Sequence, residues 1–251
     1  MHIDLSGKTV LVTGASRGIG KALAKSLGRA GAEVAIHYGN SREPAVELAE
    51  SLPAAHIFQA DLAQPTACKQ LVEAVVAHFG KIDVLVNNAG IAFSSDPAGT
   101  DEQWLSEWDL TQHVNLRAAA YLCKLLLPHY QTQGGGRFIH IASRAAFRGD
   151  TPEYLAYAAS KAGMVALSRS LARAYGKQGI TSFVVAPGFI RTDMAQQFID
   201  EYGEQLVLDD LSLDRLTEPE DLAPTVTLLA SGLMDHATGC TIDINAGSYV
   251  R

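Results

Sequence analysis

The chain has 251 residues, of which 47% are hydrophobic, and its formal net charge of −7 comes without a basic cluster, which argues against nucleic acid or an anionic membrane as partner. Its three cysteines, Cys68, Cys123 and Cys240, are spaced neither as a disulfide framework nor as a metal site, and reduced thiols are typical of a cytoplasmic protein. No apolar run approaches the ~18 residues of a membrane span and no leader-like segment opens the sequence, so we expect a cytoplasmic protein that binds a small molecule.

Short apolar runs alternate with longer amphipathic segments along the whole chain. The apolar runs predict strands at 9–14, 32–38, 56–61, 82–90, 136–143, 180–188 and 240–245. Helical spacing of apolar residues predicts helices near 18–30, 42–51, 64–79, 101–127, 154–176 and 219–231. This alternation favours one α/β domain over residues 1–251, a Rossmann-like doubly wound parallel sheet of about seven strands with helices on both faces.

One segment, 189–216, departs from this rhythm because it is longer than the other connections and rich in acidic residues. In an open α/β sheet, ligands bind outside the carboxyl ends of the strands. A long connection that follows a strand end is therefore expected to form a wall or lid of the substrate pocket.

The first strand leads into a glycine-rich turn, TGASRGIG, at residues 13–20. Glycines let a pyrophosphate approach the backbone amides at the positive end of the following helix. The same glycines would suit a plain tight turn, but the strand before them and the helix after them favour a dinucleotide. The expected cofactor contacts in the turn are Gly14, Ser16, Arg17, Gly18, Ile19 and Gly20.

The end of the second strand indicates which dinucleotide binds. An NAD-binding protein usually places Asp or Glu about 20 residues after the glycines, whereas this chain has HYGNS at 37–41, without a carboxylate. Arg17 offers a cation to a 2′-phosphate, and Asn40 and Ser41 offer hydrogen-bond donors, with Arg42 as a further candidate. The sequence predicts a preference for NADP(H), with NAD(H) as the alternative; Arg17 would then be a solvated loop residue.

A second motif, YAASK at 157–161, places Tyr157 and Lys161 on one helix face, with about 6 Å between their Cβ atoms. A nearby cation favours the ionised form of a phenol, so Lys161 is expected to lower the pKa of Tyr157 and allow proton exchange near neutrality. Ser143 ends a predicted strand, where its hydroxyl could hold a substrate carbonyl beside the phenol. Each residue alone would also fit a structural role, as a helix-surface pair or a turn cap.

In this order, the motifs resemble the short-chain dehydrogenase/reductase family over nearly the whole chain. The matching pieces are TGASRGIG, Asp61, NNAG at 87–90, Asn115, Ser143, YAASK and PGFIRT at 187–192. Within the family, the sequence is most similar to NADPH-dependent 3-oxoacyl-acyl-carrier-protein reductases. The resemblance implies an oxidoreductase that moves a hydride between NADP(H) and a carbonyl or secondary alcohol, without a metal.

The resemblance also implies roles for individual residues. Tyr157 is the general acid of the reduction, Lys161 tunes it and binds the nicotinamide ribose, and Ser143 polarises the carbonyl. Asn115 holds a water that connects Lys161 to solvent. The further cofactor contacts that it implies are Asp61 at the adenine, Leu62, the backbone of Asn88, Ala89 and Gly90 at the adenosine ribose, and Pro187, Gly188, Ile190 and Thr192 near the carboxamide and phosphates.

The substrate is the least determined part of this interpretation. Arg144 and Arg148 follow Ser143 where relatives commonly carry small residues, so a sugar, a steroid or another small ketone is the alternative to a 3-oxoacyl thioester. A dinucleotide sensor without catalysis is the alternative from another class of protein. The resemblance implies a homotetramer, or a homodimer, packed through the helices at 101–127 and 154–176.

Overall fold

A computed structural model describes residues 3–191, 199 and 203–251. Its strands form one parallel sheet in the order β3-β2-β1-β4-β5-β6-β7. The strands are β1 Thr9–Val12, β2 Glu33–Tyr38, β3 Ala55–Gln59, β4 Val84–Asn87, β5 Gly136–Ile141, β6 Ile180–Pro187 and β7 Thr241–Ile244. Strand order reverses between β1 and β4, which confirms the predicted doubly wound sheet.

The helices lie close to their predicted positions. They are α1 Gly18–Arg29, α2 Arg42–Glu50, α3 Pro65–Phe79, α4 Asp101–Gln112, α5 Ala118–Gln133, α6 Ala145–Arg148, α7 Leu155–Tyr175, α8 Glu204–Leu208 and α9 Pro219–Ser231. The sequence analysis did not predict α6 and α8, because helices of four and five residues are too short to show a helical period.

The predicted helix at 101–127 is divided. A π-helical turn at His113–Arg117 joins α4 to α5, which continues to Gln133 and ends at Gly134 in the left-handed region, with φ of 82°. The wider turn places the side chain of Asn115 in the interior, where it is fully buried. Such turns occur frequently at functional sites.

Two apolar layers bury the sheet on both faces, which explains why the central strands are almost continuously apolar. Successive residues of β1 alternate between these layers: Val10 and Val12 pack on one face and Leu11 on the other. Leu23 of α1 covers the first face and Leu122 of α5 covers the second, both fully buried. Full burial of such a side chain stabilises the fold by about 1.5–3 kcal/mol, so the sheet is a firm base for its carboxyl edge.

Because the strands are parallel, all their carboxyl ends lie along one edge of the sheet. The turn after β1 meets the end of β4 at the point of reversal, where the N–H of Thr13 donates to the Val86 carbonyl at 3.0 Å. Ser143 follows β5 by two residues, and Gly188 directly follows β6. The candidate residues from distant parts of the sequence therefore share one edge.

Across residues 3–191, 199 and 203–251, every helix is too short or too polar to cross a membrane. The same residues contain no cluster of three or more His, Cys, Asp or Glu side chains arranged to hold a metal ion. The three cysteines are free thiols, with Cys68 and Cys123 buried.

Candidate active site

The glycine turn is shaped by its own packing as well as by any ligand. Gly14 and Gly18 have φ of 63° and 52°, in the left-handed region that favours glycine. A Cβ on Gly20 would lie 2.2 Å from the Gly14 carbonyl oxygen and 2.6 Å from Nδ2 of Asn88. The glycines thus let α1 begin directly on the turn, and the first N–H groups of α1, which have no partner within the helix, are left for an anion.

The segment after β4 is tied to this turn by side chains. Oγ1 of Thr13 accepts from the N–H groups of Asn88 and Ala89, each at 3.0 Å. In return, Nδ2 of Asn88 donates to the carbonyls of Thr13 and Gly14, at 2.8 and 3.1 Å. Because the Asn88 side chain is used in this way, the backbone of 88–90 is what remains to face a cofactor.

A buried histidine holds the same turn from the other side. Nδ1 of His37, at the end of β2, accepts from the Gly14 N–H at 2.9 Å, and Nε2 lies 3.1 Å from the Ala60 carbonyl. Desolvation lowers the pKa of His37 to about 4, opposed in part by its hydrogen bond to Ala60. The imidazole is therefore neutral at physiological pH.

The residues predicted to select NADP(H) lie on loops that leave neighbouring strand ends. Arg17 is exposed and directly precedes α1, Asn40 is exposed beyond β2, and Ser41 is half-buried directly before α2. Asp61 is exposed beyond β3, with Oδ1 accepting from the Ala63 N–H at 2.9 Å, and Leu62 is buried beside it. These positions are compatible with the predicted cofactor contacts, which stay predictions.

The first turns of α7 bring Tyr157 and Lys161 together with Ser143. Nζ of Lys161 lies 5.6 Å from the centre of the Tyr157 ring, and the Ser143 hydroxyl forms a hydrogen bond with the phenol. Lys161 is buried and donates to the Ile141 carbonyl at 2.9 Å. Ser143 is buried as well, and its Oγ also accepts from the Ala145 N–H at 3.1 Å.

The electrostatics differ from the expected lowering of the Tyr157 pKa by Lys161. Burial raises the pKa of Tyr157 above its usual value of 10, and the hydrogen bond from Ser143 only partly opposes this rise. Burial also lowers the pKa of Lys161 to about 8. Both side chains are removed from water, and the Lys161 ammonium donates a hydrogen bond to the Ile141 carbonyl. Desolvation and the hydrogen bond from Ser143 therefore have the largest effects on the pKa of Tyr157 in this structure.

Asn115 links this group to the segment after β4. Its Oδ1 accepts from the Ile91 N–H at 2.8 Å, while Nδ2 donates to the Ile91 carbonyl at 2.9 Å and to Ser160 Oγ at 3.1 Å. A Cβ on Gly90 would lie 3.3 Å from both Asn115 Oδ1 and Lys161 Nζ. Asn115 is thus beside Lys161, and its part in a water relay stays a prediction.

The segment after β6 is only partly described. A Cβ on Gly188 would lie 2.7 Å from Cβ of Asn245, so this position is closely packed against the chain after β7. The Ile190 side chain belongs to the apolar core, which leaves only its backbone to contact a cofactor. Thr192 lies outside the described residues.

The described end of segment 189–216 contacts the residues that follow Ser143. The carboxylate of Asp210 accepts from Nη1 of Arg144 at 2.6 Å and lies 3.5 Å from Nη1 of Arg148. Beyond it, the Ser212 N–H donates to the Ala246 carbonyl at 2.7 Å. Arg144 and Arg148 thus both pair with the same acidic residue of that segment.

Comparison with known proteins decides the family. A family model described as Enoyl-(Acyl carrier protein) reductase matches residues 14–248. The 3-oxoacyl-(acyl-carrier-protein) reductase FabG of Staphylococcus epidermidis is 37% identical over 247 residues, which cover 97% of this chain and 99% of that protein. The chain belongs to the short-chain dehydrogenase/reductase family. This short-chain dehydrogenase/reductase is an oxidoreductase that acts on CH–OH groups.

Solved structures of the family match this short-chain dehydrogenase/reductase along nearly its full length. A short-chain dehydrogenase from Burkholderia cenocepacia in complex with NADP is 33% identical, with a TM-score of 0.89 over 97% of this chain and 98% of that one. A 7α-hydroxysteroid dehydrogenase complexed with NADH and 7-oxo glycochenodeoxycholic acid is 28% identical, with a TM-score of 0.91 over 98% and 96%. The fold thus accommodates either dinucleotide, and the residues of each chain decide between them.

Sequence reasoning missed two residues that shape the site of this short-chain dehydrogenase/reductase. Thr13 belongs to the glycine motif, but the motif gives no sign that its hydroxyl receives two N–H groups of the neighbouring segment. His37 is informative in the sequence only because it is not acidic. The sequence did contain one indication of its role, because His37 is a polar residue near the end of an otherwise apolar strand.

Proposed function

We propose that this oxidoreductase reduces the 3-oxo group of an acyl thioester with NADPH. The observation that carries the proposal is the group of Ser143, Tyr157 and Lys161, assembled at the carboxyl edge of the sheet beside Gly90 and the glycine turn. Two hydroxyls and an amine at this place suit proton transfer to a carbonyl oxygen.

The residues present fit a nicotinamide dinucleotide. The start of α1 offers amides to a pyrophosphate, and the glycine turn keeps side chains away from that approach. When bound, the dinucleotide supplies the hydride that reduces the carbonyl carbon. In this proposal Lys161 contacts the nicotinamide ribose, which is supported by the position of its buried amine 5.6 Å from the centre of the Tyr157 ring.

The chain's own residues then handle the oxygen and the proton. Ser143 donates a hydrogen bond that holds and polarises the substrate carbonyl. Tyr157 transfers its phenolic proton to the same oxygen, so the alcohol gains one hydride on carbon and one proton on oxygen. The phenolate regains a proton from solvent, with Lys161 and Asn115 as the neighbouring polar groups. Donors fixed in advance toward a developing oxyanion need no reorganisation during the reaction.

NADP(H) is the preferred dinucleotide in this proposal. The sequence after β2 carries no carboxylate at 37–41 to repel a 2′-phosphate, and Arg17 sits exposed at the start of α1. A 2′-phosphate next to a guanidinium gains a charge-assisted hydrogen bond. NADPH should therefore bind more tightly than NADH, and Arg17→Ala should reduce that difference.

The thioester substrate follows from the activity for which the 3-oxoacyl-(acyl-carrier-protein) reductase relative is named. The family model is described by a different reaction, enoyl reduction, in which a carbon–carbon double bond is reduced. Ser143 and Tyr157 lie within hydrogen-bond distance of each other, and two neighbouring hydroxyls suit a carbonyl oxygen, which accepts hydrogen bonds, better than an alkene, which does not. Segment 189–216, whose Asp210 reaches Arg144 and Arg148, is proposed to form part of the substrate pocket.

The test is a comparison of substrates followed by absorbance of NADPH. Acetoacetyl thioester should be reduced much faster than the matched enoyl thioester, crotonyl, or a simple cyclic ketone. Tyr157→Phe should lower turnover by about 10²–10⁴-fold, the usual contribution of a general acid, with NADPH affinity nearly unchanged. Tyr154→Phe, three residues earlier, is the matched control and should stay active. Activity retained by Tyr157→Phe would remove the phenol from the mechanism, and a preference for crotonyl or cyclic ketone would overturn the substrate.

We also propose that the protein is cytoplasmic and forms homotetramers, or homodimers, through α4, α5 and α7. Leu105 and Leu110 of α4 are 53% and 40% exposed, and Trp104 and Trp108 stack on the same helix with ring centres 5.2 Å apart. Large apolar side chains exposed on more than one side of a helix are candidates for contact with another copy of the chain.

A further inference from the structure

Three strand ends of the sheet meet at one buried imidazole. The ring of His37, which is 3% exposed, contacts the turn after β1 through Gly14 and the end of β3 through Ala60. The backbone of the same residue adds a third link, because the His37 carbonyl accepts from the Ala15 N–H at 2.8 Å. No other side chain of the described residues bonds to the Gly14 N–H.

The hydrogen bonds define the form of the ring. A backbone N–H can only donate, so Nδ1 accepts from Gly14 and carries no proton. Nε2 therefore carries the proton of the neutral ring and donates it to the Ala60 carbonyl. Both nitrogens are used, and burial keeps the ring neutral, with its pKa lowered to about 4.

These bonds orient the glycine turn. The N–H groups of Gly14 and Ala15 both point toward β2, so they are turned away from a ligand, and the amides at the start of α1 remain for it. On the opposite side, a Cβ at Gly14 would lie 2.9 Å from Cα of Ala89, so the turn has little space to shift. His37 and the segment after β4 hold the turn between them.

The other bond of the ring reaches the region predicted to receive the adenine. Ala60 directly precedes Asp61 and Leu62, which follow β3. One rigid ring thus sets the separation between the turn that would bind the phosphates and the loop that would bind the adenine. A dinucleotide that contacts both ends depends on this separation, because a mismatch at one end costs contacts at the other.

We propose that His37 is a positioning residue of the dinucleotide site, which sets the affinity for NADPH chiefly by fixing the glycine turn through the hydrogen bond to the Gly14 N–H, while the bond to Ala60 makes a smaller contribution by tying that turn to the loop after β3. It acts through Gly14 and Ala60 and makes no contact with substrate. This inference rests on the proposed use of NADP(H).

Three substitutions at His37 distinguish the effects of the two hydrogen bonds that its ring makes. Oδ1 of Asn lies at the same distance along the side chain as Nδ1 of His, so His37→Asn keeps an acceptor for Gly14 and loses the bond to Ala60. Nε2 of Gln lies near the position of the His Nε2, so His37→Gln keeps the donor to Ala60 and leaves the Gly14 N–H unpaired. His37→Leu keeps volume and burial and loses both bonds.

The measurement is NADPH binding by fluorescence titration, together with KM for NADPH and kcat at saturating NADPH. His37→Leu should weaken NADPH binding roughly tenfold, the scale of one unsatisfied buried amide. His37→Asn should recover most of the affinity, and His37→Gln should resemble His37→Leu. The effect should fall on KM for NADPH, with kcat nearly unchanged. A merely structural role would lower the melting temperature without this order among the variants.

The outcomes are distinct from those of the proposed function. If the wild type does not bind NADPH, the proposed function fails and the variants are not needed to show it. If the wild type binds and His37→Leu binds equally tightly, or His37→Asn binds no better than His37→Leu, the positioning role is wrong. Should His37→Leu fail to fold, the comparison of His37→Asn with His37→Gln decides in the same way.

Discussion

At the scale of single residues, the chemistry depends on opposing effects on one phenol. Burial favours the neutral form of Tyr157, and the hydrogen bond from Ser143 favours the phenolate. Lys161 shares the buried environment, and its ammonium form decreases as the pH rises through its lowered pKa of about 8. Ser143 is therefore a determinant of the protonation of Tyr157 as well as the proposed ligand for the carbonyl.

Ser143→Ala tests this dual role. Losing the hydrogen bond raises the pKa of Tyr157 further, and alcohol oxidation requires the phenolate as base. The rising limb of kcat/KM against pH, measured with 3-hydroxybutyryl thioester and NADP⁺, should move to higher pH. Turnover should fall by about 10²–10³-fold, as when one oxyanion donor is removed. Ser170→Ala, an exposed serine of α7, should leave the limb in place. If the limb does not move in Ser143→Ala, Ser143 does not control the pKa of Tyr157.

At the scale of elements, the junction of β1 and α1 leaves no room for a side chain at Gly20. A Cβ at Gly20 would meet backbone and an amide that already bonds the turn, neither of which can yield like a flexible side-chain end. Gly39, in the loop after β2, has ordinary φ and no atom within 4 Å of the position that a Cβ would occupy. Packing therefore requires glycine at position 20, whereas it would allow a side chain at position 39.

Gly20→Ala should destabilise the protein by about 1–3 kcal/mol, the usual cost of overpacking, and should weaken NADPH binding because α1 is pushed from the turn. Gly39→Ala should change the unfolding free energy by less than about 0.5 kcal/mol, as for most surface sites. Denaturant unfolding and NADPH titration of both variants provide the comparison. Equal stability of the two variants would contradict the packing argument.

The sequence was sufficient to predict those strands and helices that have a clear pattern of apolar residues over their own length. The strands are apolar because both sheet faces are covered, and α1 shows an apolar stripe with Leu23 buried. The π-helical turn at His113–Arg117 could not be predicted, because one wider turn leaves an apolar pattern nearly unchanged over five residues. The sequence therefore predicts the presence and type of long helices and strands, but it does not predict local irregularities such as the π-helical turn.

In the candidate site, too, contacts between residues close in sequence were predictable, whereas contacts between distant residues were not. Tyr157 and Lys161 were predictable as neighbours because four residues of helix separate them. The partners of His37 and of Arg144 come from strand order and from a segment more than sixty residues away, which no local pattern encodes. The motif predicts the wrong direction for the pKa of Tyr157 in this structure, because burial cannot be read from a motif.

At the scale of the whole molecule, one topological feature assembles the site. Strand order reverses between β1 and β4, so the glycine turn and the segment 88–90 leave the sheet side by side. The parallel direction of the other strands then delivers Ser143 and Gly188 to the same edge. A crevice at this position is where open α/β sheets bind their ligands.

The proposed assembly of several copies is tested at the same scale. Leu105 and Leu110 lie on different sides of α4, so Leu105→Glu combined with Leu110→Glu charges whichever side a second copy covers. Light scattering at micromolar concentration should report a tetramer, or a dimer, for the wild type and a smaller species for the double variant, because an unpaired charge in an apolar interface is costly. The matched control is Ala74→Glu with Ala77→Glu, two exposed positions of α3, which should assemble as the wild type does. A monomeric wild type would overturn the proposed assembly, and an unchanged double variant would place the interface on another surface than α4.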